Sequence, residues 1–239
     1  MATLIGYHSA VQASSTFDRW WQCNGAWVEP LNQRRDGESG VQLLHPRNPS
    51  YPALYSKRQT GHLYRCLRHP LGRPTIMREL EAYRAFARLG ISVPKIVYGA
   101  ARKHEGDWQA LLITQALPGF ISLEQWYAVE RSAEQVTVML TALANTLARL
   151  HRGRWQHGCC YAKHIFIRTN DQGGESPNAQ IALLDLEKSR RRWRAGNASR
   201  HDMRQLKRHR GAMPEQDWEC LLAAYTSLMQ VSAHRLTEA

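Results

Sequence analysis

Gly37 and Gly40 fall in the stretch QRRDGESGV, Lys57 closes ALYSK, and Glu79 lies within TIMRELEAY. Glycines free backbone N–H groups to approach a phosphate closely. A strand lysine supplies a point charge for α- and β-phosphates, and a helical carboxylate fixes that lysine's position. Glycine turn, strand lysine, helical glutamate is therefore the order of one half of a nucleotide-phosphate site. Each residue also has a plain structural reading, because glycine turns, strand lysines and helical glutamates are common. Asp185 ends the apolar run Ile181–Leu184. Its carboxylate is the hard oxygen ligand that Mg²⁺ takes when it bridges nucleotide phosphates, or else a strand-end aspartate making a turn. Upstream lies the polar stretch HGCCYAKH, residues 157–164.

These residues need elements to place them. Residues 33–41 read as a turn between two short strands, and 53–57 as a strand. Pro70, Gly72 and Pro74 break the chain before a helix from Thr75 to Leu89, with Ile76, Leu80, Tyr83 and Ala87 on its apolar face. Glu79 lies at the edge of that face, between Tyr83 and Phe86, while Glu81 points to solvent. Residues 110–114 (ALLIT) read as a buried strand and Leu117-Pro118-Gly119 as a connector. A long helix from Ala133 to His151 aligns Val136, Leu140, Leu143, Leu147 and Leu150. Strands at 165–168 and 181–184 form a hairpin around a polar loop. A closing helix, Gln216–Met229, turns Trp218, Leu222, Tyr225 and Met229 inward. The plan is α+β, with a first part at 1–115 and a second at 116–239.

The formal net charge of +12 calls for an anionic partner: nucleic acid, an acidic membrane face or a phosphorylated glycolipid. A hydrophobic share of 43% with eight tryptophans excludes a disordered chain. Trp20, Trp21 and Trp27 are expected in the core. The five cysteines lack metal-ligand spacing and fit a reducing compartment. The amino terminus shows no export pattern, and no apolar stretch reaches transmembrane length. The eleven histidines show no zinc pattern. The run from Lys188 to Arg210 carries ten cations against one acid, Asp202. A solvated helix face is the plain explanation for it; attraction of acidic lipid heads is the functional one. No aromatic-basic recognition motif supports nucleic acid as the partner.

Several stretches resemble the lipopolysaccharide core kinase family, which includes the Kdo, heptose and InaA-type proteins and is itself a branch of the protein-kinase-like fold. They are RRDGESGV, LYSKRQTGH, HPLGRPTIMRELEAY, GISVPK, HGCCYAKHIFI and LLDLEKSRRR, spread from Trp20 to about Arg210. The resemblance implies two lobes, a small strand-rich one and a mainly helical one, with ATP and Mg²⁺ between them. Residues 113–117, including Ile113 and Gln115, take the hinge position. Lys57 resembles the phosphate-binding lysine, Glu79 its partner, and Asp185 the aspartate of the DFG motif, written here Asp-Leu-Glu. His157 resembles the histidine of the HRD-type loop, and His164 stands at the second metal position. Cys159 occupies the place of the aspartate that accepts the substrate proton, and a neutral thiol cannot do that work. Lys163 is then a candidate to neutralise the transferring phosphate, and His157 or Asp185 to receive the proton late. Asp202 is expected to cap the loop from a helix. The implied acceptor is a sugar hydroxyl of the lipopolysaccharide core, or of another acidic glycolipid, at the cytoplasmic face of the inner membrane. The alternative is a catalytically impaired pseudokinase serving envelope or acid-stress signalling.

Overall fold

A computed structural model describes residues 15–28, 30–34, 37–67, 69–169 and 178–230. The amino-terminal stretch expected to lack an export pattern, and most of the polar loop at 169–180, lie outside them. The chain forms two compact units: Met1–Glu81 with Pro94–Pro118, and Ala82–Val93 with Gly119–Ala239.

The first unit is built on an antiparallel sheet. Its strands are β1 (Ala26–Trp27), β2 (Asn32–Arg34), β3 (Gly37–Leu44), β4 (Leu54–Thr60), β7 (Ile96–His104) and β8 (Asp107–Gln115), in the order β1-β3-β4-β8-β7 with β2 also beside β3. A separate hairpin, β5 (Leu63–Cys66) with β6 (His69–Pro74), leads directly into helix α2 (Thr75–Arg88). Helix α1 (Thr16–Gln22) packs Phe17 and Trp20 against Leu44, Leu54, Leu111 and Ile113. Burying each such side chain contributes ~1.5–3 kcal/mol.

Three expectations change here. Gly37 and Gly40 lie within β3, not in a turn: Gly37 pairs with Arg34, and Gly40 with Arg58 of β4. Gly40 is needed for packing, since an added Cβ would stand 2.5 Å from the Trp27 ring. Trp27 covers that glycine from an exposed position and is no core residue. On α2 the buried residues are Thr75, Ile76, Glu79, Leu80, Ala82, Tyr83, Ala85 and Phe86, and Ala87 is exposed.

The second unit centres on helix α4 (Ala133–Arg152), opened by a reciprocal cap. Ser132 Oγ accepts from Gln135 N–H, and Gln135 Oε1 accepts from Ser132 N–H. Leu140, Leu143, Leu147 and Leu150 are buried along it. Strands β11 (Ile165–Thr169) and β12 (Ala179–Leu183) pair antiparallel, Ile165 opposite Leu183, and β9 (Ile121–Ser122) joins β11 ahead of the short helix α3 (Leu123–Trp126). Strand β10 (Trp155–Gln156) pairs with β13 (Arg190–Arg191). Helices α5 (Ala195–Arg208) and α6 (Glu215–Met229) complete the unit. On α6 the inward residues are Trp218, Leu221 and Tyr225; Leu222 and Met229 are half-buried. Leu221 packs one position earlier than the helical spacing suggested.

Candidate active site

In the first unit, period-two alternation along β4 puts Lys57 and Gln59 on one face. Lys57 sits opposite Val41 of β3 and Leu112 of β8, so the central strand fixes its backbone on both sides. Its Nζ meets Glu79 Oε2 at 2.7 Å, with side-chain exposures of 16% and 4%. The buried Gln59 explains why α2 presents Glu79 there. Gln59 Oε1 accepts from Thr75 Oγ1 at 2.8 Å and from Ile76 N–H at 3.2 Å. The first turn of α2, whose N–H groups have no partner inside the helix, is thereby tied to the strand two residues beyond Lys57. Glu79 follows one turn later on the same side of the helix. Sequence reasoning missed Gln59; a glutamine in a strand carries no signal of its own.

The expected hinge residues are otherwise engaged. Ile113 is fully buried in the core beneath α1. Gln115 N–H donates to Lys95 O and Ala116 N–H to Ala53 O, so both amides are spent within the unit.

In the second unit, the loop after β10 hangs from Asp202. This fully buried carboxylate on α5 accepts from His157 N–H at 2.5 Å, Gly158 N–H at 3.0 Å and His151 Nε2 at 3.2 Å. Burial alone would raise its pKa; hydrogen bonds from His151 and His201 and the nearby imidazoles outweigh it and hold the carboxyl well below the usual range. His151 in turn meets Tyr225 Oη, which also meets Ser199 Oγ. Gly158 has φ +87°, and a Cβ there would lie 2.5 Å from Lys188 O, so only glycine fits. Asp202 was legible as the lone acid in a basic run. His151, Tyr225 and Ser199 were not, because their link spans three helices.

His157 is fully buried, and burial pushes its pKa down to about 4 against the opposing pull of Asp202. Its Nδ1 accepts from Cys159 N–H. At neutral pH it stands as a neutral imidazole that frames the loop. Cys159 is buried as well; burial raises its thiol pKa, only partly offset by Lys188, and Tyr161 bonds to it. The thiol stays protonated at neutral pH. Lys163 is exposed and makes no ion pair among the described residues.

His164 and Asp185 are brought together. His164 Nδ1 lies 2.9 Å from Cys159 O. A carbonyl only accepts, so this nitrogen carries a proton, and in the neutral imidazole Nε2 presents a lone pair. That lone pair faces Asp185 Oδ2 at 3.4 Å. Two acceptors facing each other favour a cation between or beside them. Two donors about 2.1 Å from one octahedral ion stand about 3 Å apart, close to the separation seen. Asp185 adopts φ 56°, ψ 59°, a left-handed conformation that costs a non-glycine residue about 1 kcal/mol or more. Its side chain is 42% exposed, open to further ligands. Among the described residues no three His, Cys, Asp or Glu gather as a metal cage. One carboxylate completed by phosphate and water oxygens is the pattern of Mg²⁺; the imidazole nitrogen is the softer, secondary donor.

The chain belongs to the lipopolysaccharide kinase (Kdo/WaaP) family, whose match covers residues 18–225. It is 44% identical over 216 residues to Protein InaA of Escherichia coli (strain K12), covering 89% of this chain and 96% of that protein. Membership supports a lipopolysaccharide kinase-type enzyme, with ATP implied as substrate and Mg²⁺ as the usual companion. Among the described residues no helix is long and apolar enough to cross a membrane.

Proposed function

We propose that this chain is an ATP-dependent phosphotransferase acting on a sugar hydroxyl of the lipopolysaccharide core, at the cytoplasmic face of the inner membrane. In this reading the first unit is the nucleotide-binding lobe of a protein-kinase-like fold, and the second carries the loop and the metal carboxylate. The observation that carries it is the Lys57–Glu79 ion pair, 2.7 Å long and nearly buried, in a chain of a kinase family. A surface pair of this kind would contribute little; a pair placed by a buried glutamine and left partly open on the lysine side suits an incoming anion.

Lys57 neutralises charge on the nucleotide phosphates, and Glu79 fixes its reach. Asp185 would hold Mg²⁺, with His164 beside it as a secondary donor. The metal supplies charge neutralisation on the transferring group. With a protonated thiol at position 159 the acceptor hydroxyl loses its proton late, to Asp185 or to an oxygen of the transferred phosphoryl group, which a largely dissociative transition state tolerates. Lys163 and Lys188 supply positive charge beside the loop.

The test is transfer of labelled γ-phosphate from ATP to purified lipopolysaccharide core, which Asp185→Ala should abolish. A missing general base costs ~10²-fold or more, so Cys159→Asp should raise turnover by that order. A second reading, a nucleotide-binding pseudokinase with a regulatory role, is favoured by the buried thiol itself. ATP binding without transfer to the core, from the wild type and from Cys159→Asp alike, would establish it and end the first.

A further inference from the structure

Helix α5 has two unlike sides. Ala198, Ser199, Asp202, Met203 and Leu206 are buried on one. Asn197, Arg200, His201, Arg204 and Arg208 recur at three- and four-residue spacing on the other, within an arc of ~100°. Arg200, Arg204 and Arg208 are like charges one turn apart, an arrangement that disfavours the helix unless an anion lies across it.

They enclose space. The recess, of about 370 Å³, is lined by these three arginines together with Arg192, Asn197, His201 and Gln205, and among the described residues no acid lines it. The acid nearest in sequence, Asp202, is buried and consumed by the loop amides and His151. Arg204 Nε is buried without a hydrogen-bond partner. Arg192 is held in place by Gln156, its Nε donating to Oε1 at 2.5 Å, and burial and Arg190 depress its pKa. Planar guanidinium groups converging on one volume match the tetrahedral oxygens of a phosphate. The volume is that of a small-ligand pocket, enough for a phosphorylated sugar. Beside Arg192 stands Trp193, 94% exposed, flanked by the exposed Arg191 and Arg194. A lone exposed tryptophan among cations is the composition of a segment resting in a lipid interface.

We propose that this cavity is a phosphate-monoester site for the headgroup of a membrane glycolipid, with Trp193 seated in the interfacial layer. The glycolipid part rests on the function proposed above; the phosphate chemistry does not. Co-sedimentation with phosphatidylcholine vesicles tests it, the vesicles carrying either phosphatidic acid, a monoester, or phosphatidylglycerol, a diester, at equal surface charge. The wild type should prefer phosphatidic acid. The double variant Arg200→Gln/Arg204→Gln should lose that preference by roughly tenfold. Arg200→Lys/Arg204→Lys should keep overall binding and lose the preference. Arg190→Gln/Arg191→Gln, equal in charge but off the cavity, should weaken both vesicle types alike. Trp193→Ala should weaken vesicle binding and leave calorimetric binding of inorganic phosphate unchanged. Identical behaviour of the two glutamine pairs would reduce the cavity to diffuse charge and overturn the proposal. Phosphate binding without vesicle binding would overturn its membrane part, and tighter binding to duplex DNA than to phosphatidic acid would overturn all of it. Phosphotransfer assayed in parallel keeps the two readings apart: transfer without lipid preference sinks this site alone, and lipid preference without transfer sinks the kinase reading alone.

Discussion

Lys57→Met separates what the ion pair does for the fold from what it does for a nucleotide. The substitution keeps the chain length of the side chain and leaves Glu79, 4% exposed, without the cation at 2.7 Å. Breaking a buried pair from one side costs ~3–5 kcal/mol, because a carboxylate stays desolvated without its charge partner. Lys57 is itself 16% exposed, so water reaches the end of the gap and the expected cost falls to ~2–3 kcal/mol. In a chain of this size that lowers the melting temperature by ~4–12 °C. The double variant Lys57→Met/Glu79→Leu removes the stranded charge, and its stability should return to within ~1 kcal/mol of the wild type. Nucleotide affinity, measured by titration with a fluorescent ATP analogue, should be lost in both. A double variant as unstable as the single one would refute the buried-carboxylate argument. Retained nucleotide binding in Lys57→Met would refute the phosphate role of the lysine.

Three further outcomes follow from the second unit. His157 has a pKa depressed from about 6.5 to about 4, so its neutral form is bound up with folding. Stability is full above about pH 6.5 and should fall by ~3 kcal/mol as pH drops toward about 4, while His157→Asn should show a flatter profile by calorimetry across that window. Asp202→Asn should cost ~3 kcal/mol at neutral pH, and the gap to wild type should narrow only below the ordinary carboxylate range, where the depressed Asp202 pKa begins to matter. A thiol reagent should modify the exposed Cys66 and Cys220 at once, and Cys159 and Cys160 only on unfolding; early loss of either buried thiol, read by mass spectrometry, contradicts the loop as described.

Much of this was legible in the sequence, and the reason differs from residue to residue. Glu79 and Glu81 were told apart by helical angle alone, and the structure buries the first against Lys57 while Arg73 pairs with the second at the surface. The α4 leucines and the β11–β12 hairpin follow from periods of 3.6 and 2, which burial enforces. Gly40 misled because glycine signals permissive backbone without saying what the permission is for; here it makes room for an indole. Ile113 lies in the core beneath α1, and a position borrowed by resemblance says nothing about which way its side chain packs. The arginine recess was hidden in composition: ten cations between Lys188 and Arg210 read as a solvated face until α5 sorted five polar residues to one side.

The amide of Gln59 has a bearing on control. A helix whose opening N–H and hydroxyl are both clasped by an oxygen on the neighbouring strand cannot swing outward without stranding that oxygen in a dry interior. The carboxylate it carries therefore stays docked whether or not any ligand is present. In the first unit the lysine and the glutamate are thus already paired before any anion arrives.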